Sequence, residues 1–123
     1  MAELKDLIGK TFASVENVND EEIVFTTTEG QQYRLYHAQD CCECVTVESI
    51  TGDLADLVGE PILIAEEATS DQNPQDAKPE TLEYQDSFTW TFYKFATRKG
   101  YVDIRWYGGS NGEYSESVNF EEV

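Results

Sequence analysis

The chain has 123 residues, of which 25 are Asp or Glu and only 8 are Lys or Arg, giving a formal charge of -17 at neutral pH. That surplus exceeds what solubility requires and argues against partners whose surface is phosphate, since DNA, RNA and anionic lipid select Lys and Arg; a basic protein is the expected partner. A hydrophobic fraction of 40% with two Trp, seven Tyr and six Phe separates the sequence from disordered acidic tails, and the length suits one domain, residues 1–123, with an ordinary core.

At the N-terminus, Met1 to Asp6 lacks the apolar run of a signal peptide, and the longest apolar stretch, Pro61 to Ala65, is too short to cross a bilayer. Leu4 and Leu7, with Gly9 behind them, predict a short helix ended by a left-handed residue. Strands are predicted over Thr11 to Val18, Ile23 to Thr28 and Gln32 to His37, with Glu29-Gly30 as a hairpin turn. A fourth is predicted from Cys44 to Ile50.

At an offset of 50 residues, Leu54-Ala55-Asp56-Leu57-Val58-Gly59-Glu60 echoes Leu4-Lys5-Asp6-Leu7-Ile8-Gly9-Lys10. A second short helix is therefore predicted, followed by a strand over Pro61 to Glu67. The polar stretch from Thr69, through Pro74 and Pro79, to about residue 83 is predicted to be a flexible loop. Three runs follow: Ser87 to Thr97, Tyr101 to Tyr107 and Tyr114 to Phe120. Strict alternation in Phe88-Thr89-Trp90-Thr91-Phe92 and Val102-Asp103-Ile104-Arg105-Trp106 predicts strands with one wet face. Turns at Arg98-Lys99-Gly100 and Gly108 to Gly112 predict an antiparallel meander whose aromatics face the core. The expected class is α+β: mostly antiparallel β with two short helices, and a candidate duplication of a helix-plus-four-strand unit, with halves at 3–50 and 53–123.

The only His and all three Cys lie within eight residues, His37-Ala38-Gln39-Asp40-Cys41-Cys42-Glu43-Cys44. Zinc accepts such ligands, and a turn near Asp40 would let His37 meet Cys41, Cys42 and Cys44, with Asp40, Glu43 or Glu48 as an oxygen alternative. On an extended strand the thiols would not converge, and the competing reading has Cys packing as a small hydrophobe and His37, on the parity of Tyr33 and Leu35, ending a strand as a satisfied polar group. The acidic surroundings oppose a reactive thiolate, so any metal is expected to be structural. Three Cys is an odd number, so reduced thiols and a cytoplasmic location are expected.

Catalytic patterns are missing from the sequence: it has one His, no Gly-x-Ser-x-Gly elbow, no phosphate-cradling glycine loop and no His-Glu-x-x-His. Adjacent carboxylates such as Glu66-Glu67 point to opposite faces of a strand and read as solvated charge. A non-enzymatic role is expected.

Tyr36-His37-x-x-Asp40-Cys41-Cys42-Glu43, Thr89 to Phe95, Ile104 to Gly108 and Tyr114 to Val118 resemble a small phage and prophage protein family. The chain also resembles the small acidic, metal-containing anti-CRISPR proteins that inhibit type II-A effector nucleases. His37, Cys41 and Cys42 carry that resemblance better than Cys44. It implies a phage-encoded, monomeric inhibitor in the bacterial host cytoplasm that binds a type II-A CRISPR effector stoichiometrically and blocks DNA loading or activation. Tyr84, Tyr107 and Tyr114 are candidate apolar anchors. The alternatives are a general acidic DNA mimic bound to another basic host protein, and a phage structural or assembly protein.

Overall fold

The computed structural model describes residues 3–38, 43–70, 87–110 and 116–123. Eight strands run in chain order: β1 (Phe12–Val18), β2 (Glu22–Thr27), β3 (Gln32–Tyr36), β4 (Cys44–Thr51), β5 (Ile64–Ser70), β6 (Ser87–Thr97), β7 (Gly100–Ser110) and β8 (Asn119–Glu122). They form two four-stranded antiparallel sheets, ordered β1-β2-β3-β8 and β4-β7-β6-β5.

One hydrophobic core lies between the sheets. Ile23, Phe25, Tyr33 and Leu35 enter it from the first sheet, and Tyr93, Phe95, Val102, Ile104 and Trp106 from the second. Each set follows the period of two that places alternate side chains on one face. The rings of Phe25 and Phe95 meet across the two sheets with centroids 5.3 Å apart. The meander's aromatics divide rather than all facing this core. Trp90 and Tyr107, paired across the β6–β7 ladder, belong to the opposite face, where their rings pack 4.7 Å apart and are buried.

The expected mostly antiparallel β architecture is present, and only the α part of the expected α+β class is corrected. Both short helices are single 3-10 turns, Leu4–Leu7 and Leu54–Leu57, and no α-helix occurs among the described residues. Each turn has only four residues between its N-cap and its C-cap, which the chain reversal at Gly9 or Gly59 follows at once, too few to propagate α-helical hydrogen bonds. The left-handed glycines behave as expected, with φ of +88° at Gly9 and +87° at Gly59. The turns at Glu29-Gly30 and Arg98-Lys99 close their hairpins as predicted, Thr97 pairing with Gly100.

The last strand departs from the expected meander. β8 leaves the sheet that holds β6 and β7 and pairs with β3, with Leu35 opposite Phe120 and Tyr36 opposite Asn119. Gly108 and Gly109 are not turn residues but interior positions of β7, opposite Val45 and Cys44. The strand expected from Pro61 begins at Ile64 and continues through Thr69 and Ser70. The rest of the predicted loop, and Tyr114, lie outside the described residues.

The two halves nevertheless share one plan. Strands β1-β2-β3 and β5-β6-β7 each form a meander, and the fourth strand of each half crosses to the other sheet: β4 beside β7, β8 beside β3. Gly9 N–H donates to Ile62 O at 2.8 Å, and Gly59 N–H donates to Phe12 O at 2.9 Å. These are the same bond shifted by the 50-residue offset of the sequence echo. Thr11 and Pro61, also equivalent by that offset, bridge each other.

Candidate functional site

The two crossings, from β3 to β4 and from β7 to β8, converge on a buried polar cluster. His37 follows β3 directly, and its side chain is only 3% exposed. Its parity with Tyr33 and Leu35 turns it inward, as the alternation predicts. Nδ1 lies 2.7 Å from the carbonyl of Ser117, and Nε2 lies 3.1 Å from Glu43 Oε1. A carbonyl only accepts, so Nδ1 carries a proton, and Nε2 faces a fully buried carboxyl group.

The second member of the cluster is Glu116, which lies on the β7–β8 crossing. Its carboxylate accepts from Thr89 Oγ1 at 2.8 Å, Ser87 Oγ at 3.3 Å and Ser110 Oγ at 2.5 Å. Gly108 permits this approach: a Cβ there would meet Glu116 O at 2.8 Å and Val45 Cγ2 at 3.0 Å. A glycine that suggests a loop in sequence is thus the floor under Glu116.

For zinc, His37 has the arrangement expected of a ligand, with Nδ1–H held by a backbone carbonyl and Nε2 facing the cluster. Glu43 stands where an oxygen ligand beside Nε2 would stand. Cys44 is exposed at the start of β4 and projects to the face opposite its neighbour Glu43. Cys41 and Cys42 lie outside the described residues. Among the described residues no group of three or more His, Cys, Asp or Glu side chains is placed to hold a metal. The structure therefore brings Glu43 to His37. Glu43 was one of three carboxylates the sequence offered beside His37, whereas Glu116 was not legible as part of the cluster, because periodicity assigns faces but says nothing of contacts across a crossing.

The surface has its own pattern. Of the 8 Lys and Arg, Lys78 lies outside the described residues, and the other seven are engaged by the protein itself. Arg34 donates to Glu121 and Glu22 and stacks 3.8 Å over Tyr36. The Arg34 hydrogen bond, aided by Tyr36, lowers the Glu121 carboxyl below its ordinary pKa. Arg105 pairs with Glu48, Arg98 with Glu60 and Lys5 with Glu3. Lys10 donates to Gln31, Lys99 donates to the Val58 carbonyl, and Lys94 lies over Tyr101. By contrast Glu16, Asp20, Glu21, Glu29, Glu66 and Glu122 make no ion pair among the described residues. Several of them crowd the β1–β2 turn, where Asn19 and Asp20 both take positive φ, 55° and 61°, the geometry of a tight I′ hairpin. Of the candidate aromatic anchors, Tyr107 is buried; Tyr84 and Tyr114 lie outside the described residues.

No helix among the described residues is long and apolar enough to cross a membrane. A family model described as a domain of unknown function, DUF7448, matches residues 5–120, and the chain belongs to that family. Neither a curated protein nor a solved structure matches it.

Proposed function

We propose that this member of the DUF7448 family is a non-catalytic binding protein that occupies a basic, nucleic-acid-handling protein. The observation that carries the reading is the distribution of charge. The described cations are held by the protein's own carboxylates, carbonyls and rings, so the exposed carboxylates around the β1–β2 turn and along β5 are left to face outward. Such a surface accelerates encounter with a positive groove, while shape supplies specificity.

The partner to test first is a type II-A CRISPR effector, chosen on the chain's resemblance, carried best by His37, Cys41 and Cys42, to small acidic, metal-containing anti-CRISPR proteins. These effectors hold nucleic acid in long positively charged channels. The protein would then act as a stoichiometric inhibitor of DNA loading. The direct test is DNA cleavage by the purified effector with increasing protein: inhibition should be complete near one equivalent and show no turnover. Unchanged cleavage at a large excess removes this partner and leaves other basic host proteins as the target.

Zinc belongs to the same proposal as a structural ion, taken by His37 Nε2 with the thiolates of Cys41 and Cys42, and with Cys44 or Glu43 completing the set. The matched plan of the halves, with its reciprocal glycine hydrogen bonds, supports their origin by duplication of one unit whose last strand is exchanged between copies.

A further inference from the structure

Beside the crossing cluster, between the edge of β5 and the start of β6, lies a cavity of about 270 Å³. Glu67, Thr69, Ser87, Thr89, Thr91 and Glu116 line it. Its chemistry follows from counting protons. A hydroxyl has one hydrogen, and Ser87 and Thr89 both direct theirs at Glu116 Oε1, so towards the cavity they offer lone pairs only. Glu67 Oε2 accepts from Tyr93 at 2.6 Å, while Oε1 has no partner among the described residues. Thr91 is only 3% exposed, and its hydroxyl also has none among the described residues. Among the described lining residues, two carboxylates and the hydroxyls of Ser87 and Thr89, whose protons are already committed, present acceptors to this space, and no Lys or Arg is among them.

We infer that this cavity receives an arginine side chain of the basic partner. Several acceptors spread around one space match the five N–H donors of a planar guanidinium better than the point charge of an ammonium, and the carboxylates supply the compensating charge. The inference rests on the binding reading above and names its anchor.

The test is an NMR titration of the isotope-labelled full chain with N-acetyl-arginine methylamide at low salt, with the citrulline analogue as the neutral control. The expected result is saturable shifts at the Thr89 and Thr91 amides for arginine alone. Affinity should fall about tenfold in Glu116→Gln, which loses a charged acceptor, and about fivefold in Thr91→Val, which keeps its shape and gives a readout should the first variant not fold. Equal shifts with citrulline, or arginine affinity unchanged in the folded variants, overturn the inference. Full partner affinity in both variants overturns the anchor while leaving the binding reading intact. Failure of the wild-type chain to bind any basic partner overturns that reading, whatever the titration shows.

Discussion

His37 Nε2 and Glu43 Oε1 meet at 3.1 Å with both side chains buried, and removing either takes that contact from the other. Replacing His37 by Phe should lower the unfolding free energy by about 3 kcal/mol in urea denaturation. On the zinc proposal, metal content measured on the same sample should fall with it; an unchanged midpoint contradicts the buried pair. Tyr93 offers a pH test. Burial first, and the hydrogen bond to Glu67 second, raise its phenol above the ordinary 10.0. The folded protein therefore keeps this proton after the unfolded chain has released it. Its contribution is complete below about pH 10 and is lost as pH rises further, by about 1.4 kcal/mol per unit. In Tyr93→Phe the alkaline decline of stability should be correspondingly shallower, and an identical decline contradicts the assignment. At this scale the sequence was informative about faces and silent about meetings. The inward turn of His37 followed from its parity with Leu35, whereas the three hydroxyls on Glu116 come from two strands, and Glu116 itself from a crossing, that no spacing links.

Strands were the most legible elements, because alternation such as Phe88 to Phe92 has a single structural meaning. The two helices were legible as positions but not as type: Leu4 with Leu7, and Leu54 with Leu57, satisfy an α-helix and a 3-10 turn equally, and the decision rests on the distance to the following glycine. Destination was not legible either. Phe120 is as apolar as its alternatives, and only the assembled core shows that it stacks on Tyr33 in the first sheet, with ring centroids 5.7 Å apart. Gly108 misled in a useful way, since glycine marks turns and close backbone approaches alike. Gly108→Ala should therefore destabilise the protein by about 1–3 kcal/mol, read by thermal or chemical unfolding, because the new Cβ meets backbone and a packed valine rather than a flexible tip. A neutral effect would mean that Glu116 does not cross so closely.

At the scale of the whole molecule, the charge of -17 sets a long-range field, and the core sets a rigid body on which to display it. Core aromatics from both sheets, with β4 paired to β7 and β8 paired to β3, fix the acidic turn of β1–β2 and the acidic edge of β5 relative to one another. The field was fully legible from composition, but its freedom from internal compensation was not, because only the structure shows Arg34, Arg98 and Arg105 each committed to a neighbouring glutamate. The measurement that tests the central claim most directly is the affinity of the purified chain for a type II-A CRISPR effector across a series of salt concentrations. Binding at one-to-one stoichiometry that weakens steadily as salt screens the charges is the predicted result. Absence of binding at low salt, or binding indifferent to salt, would contradict the account.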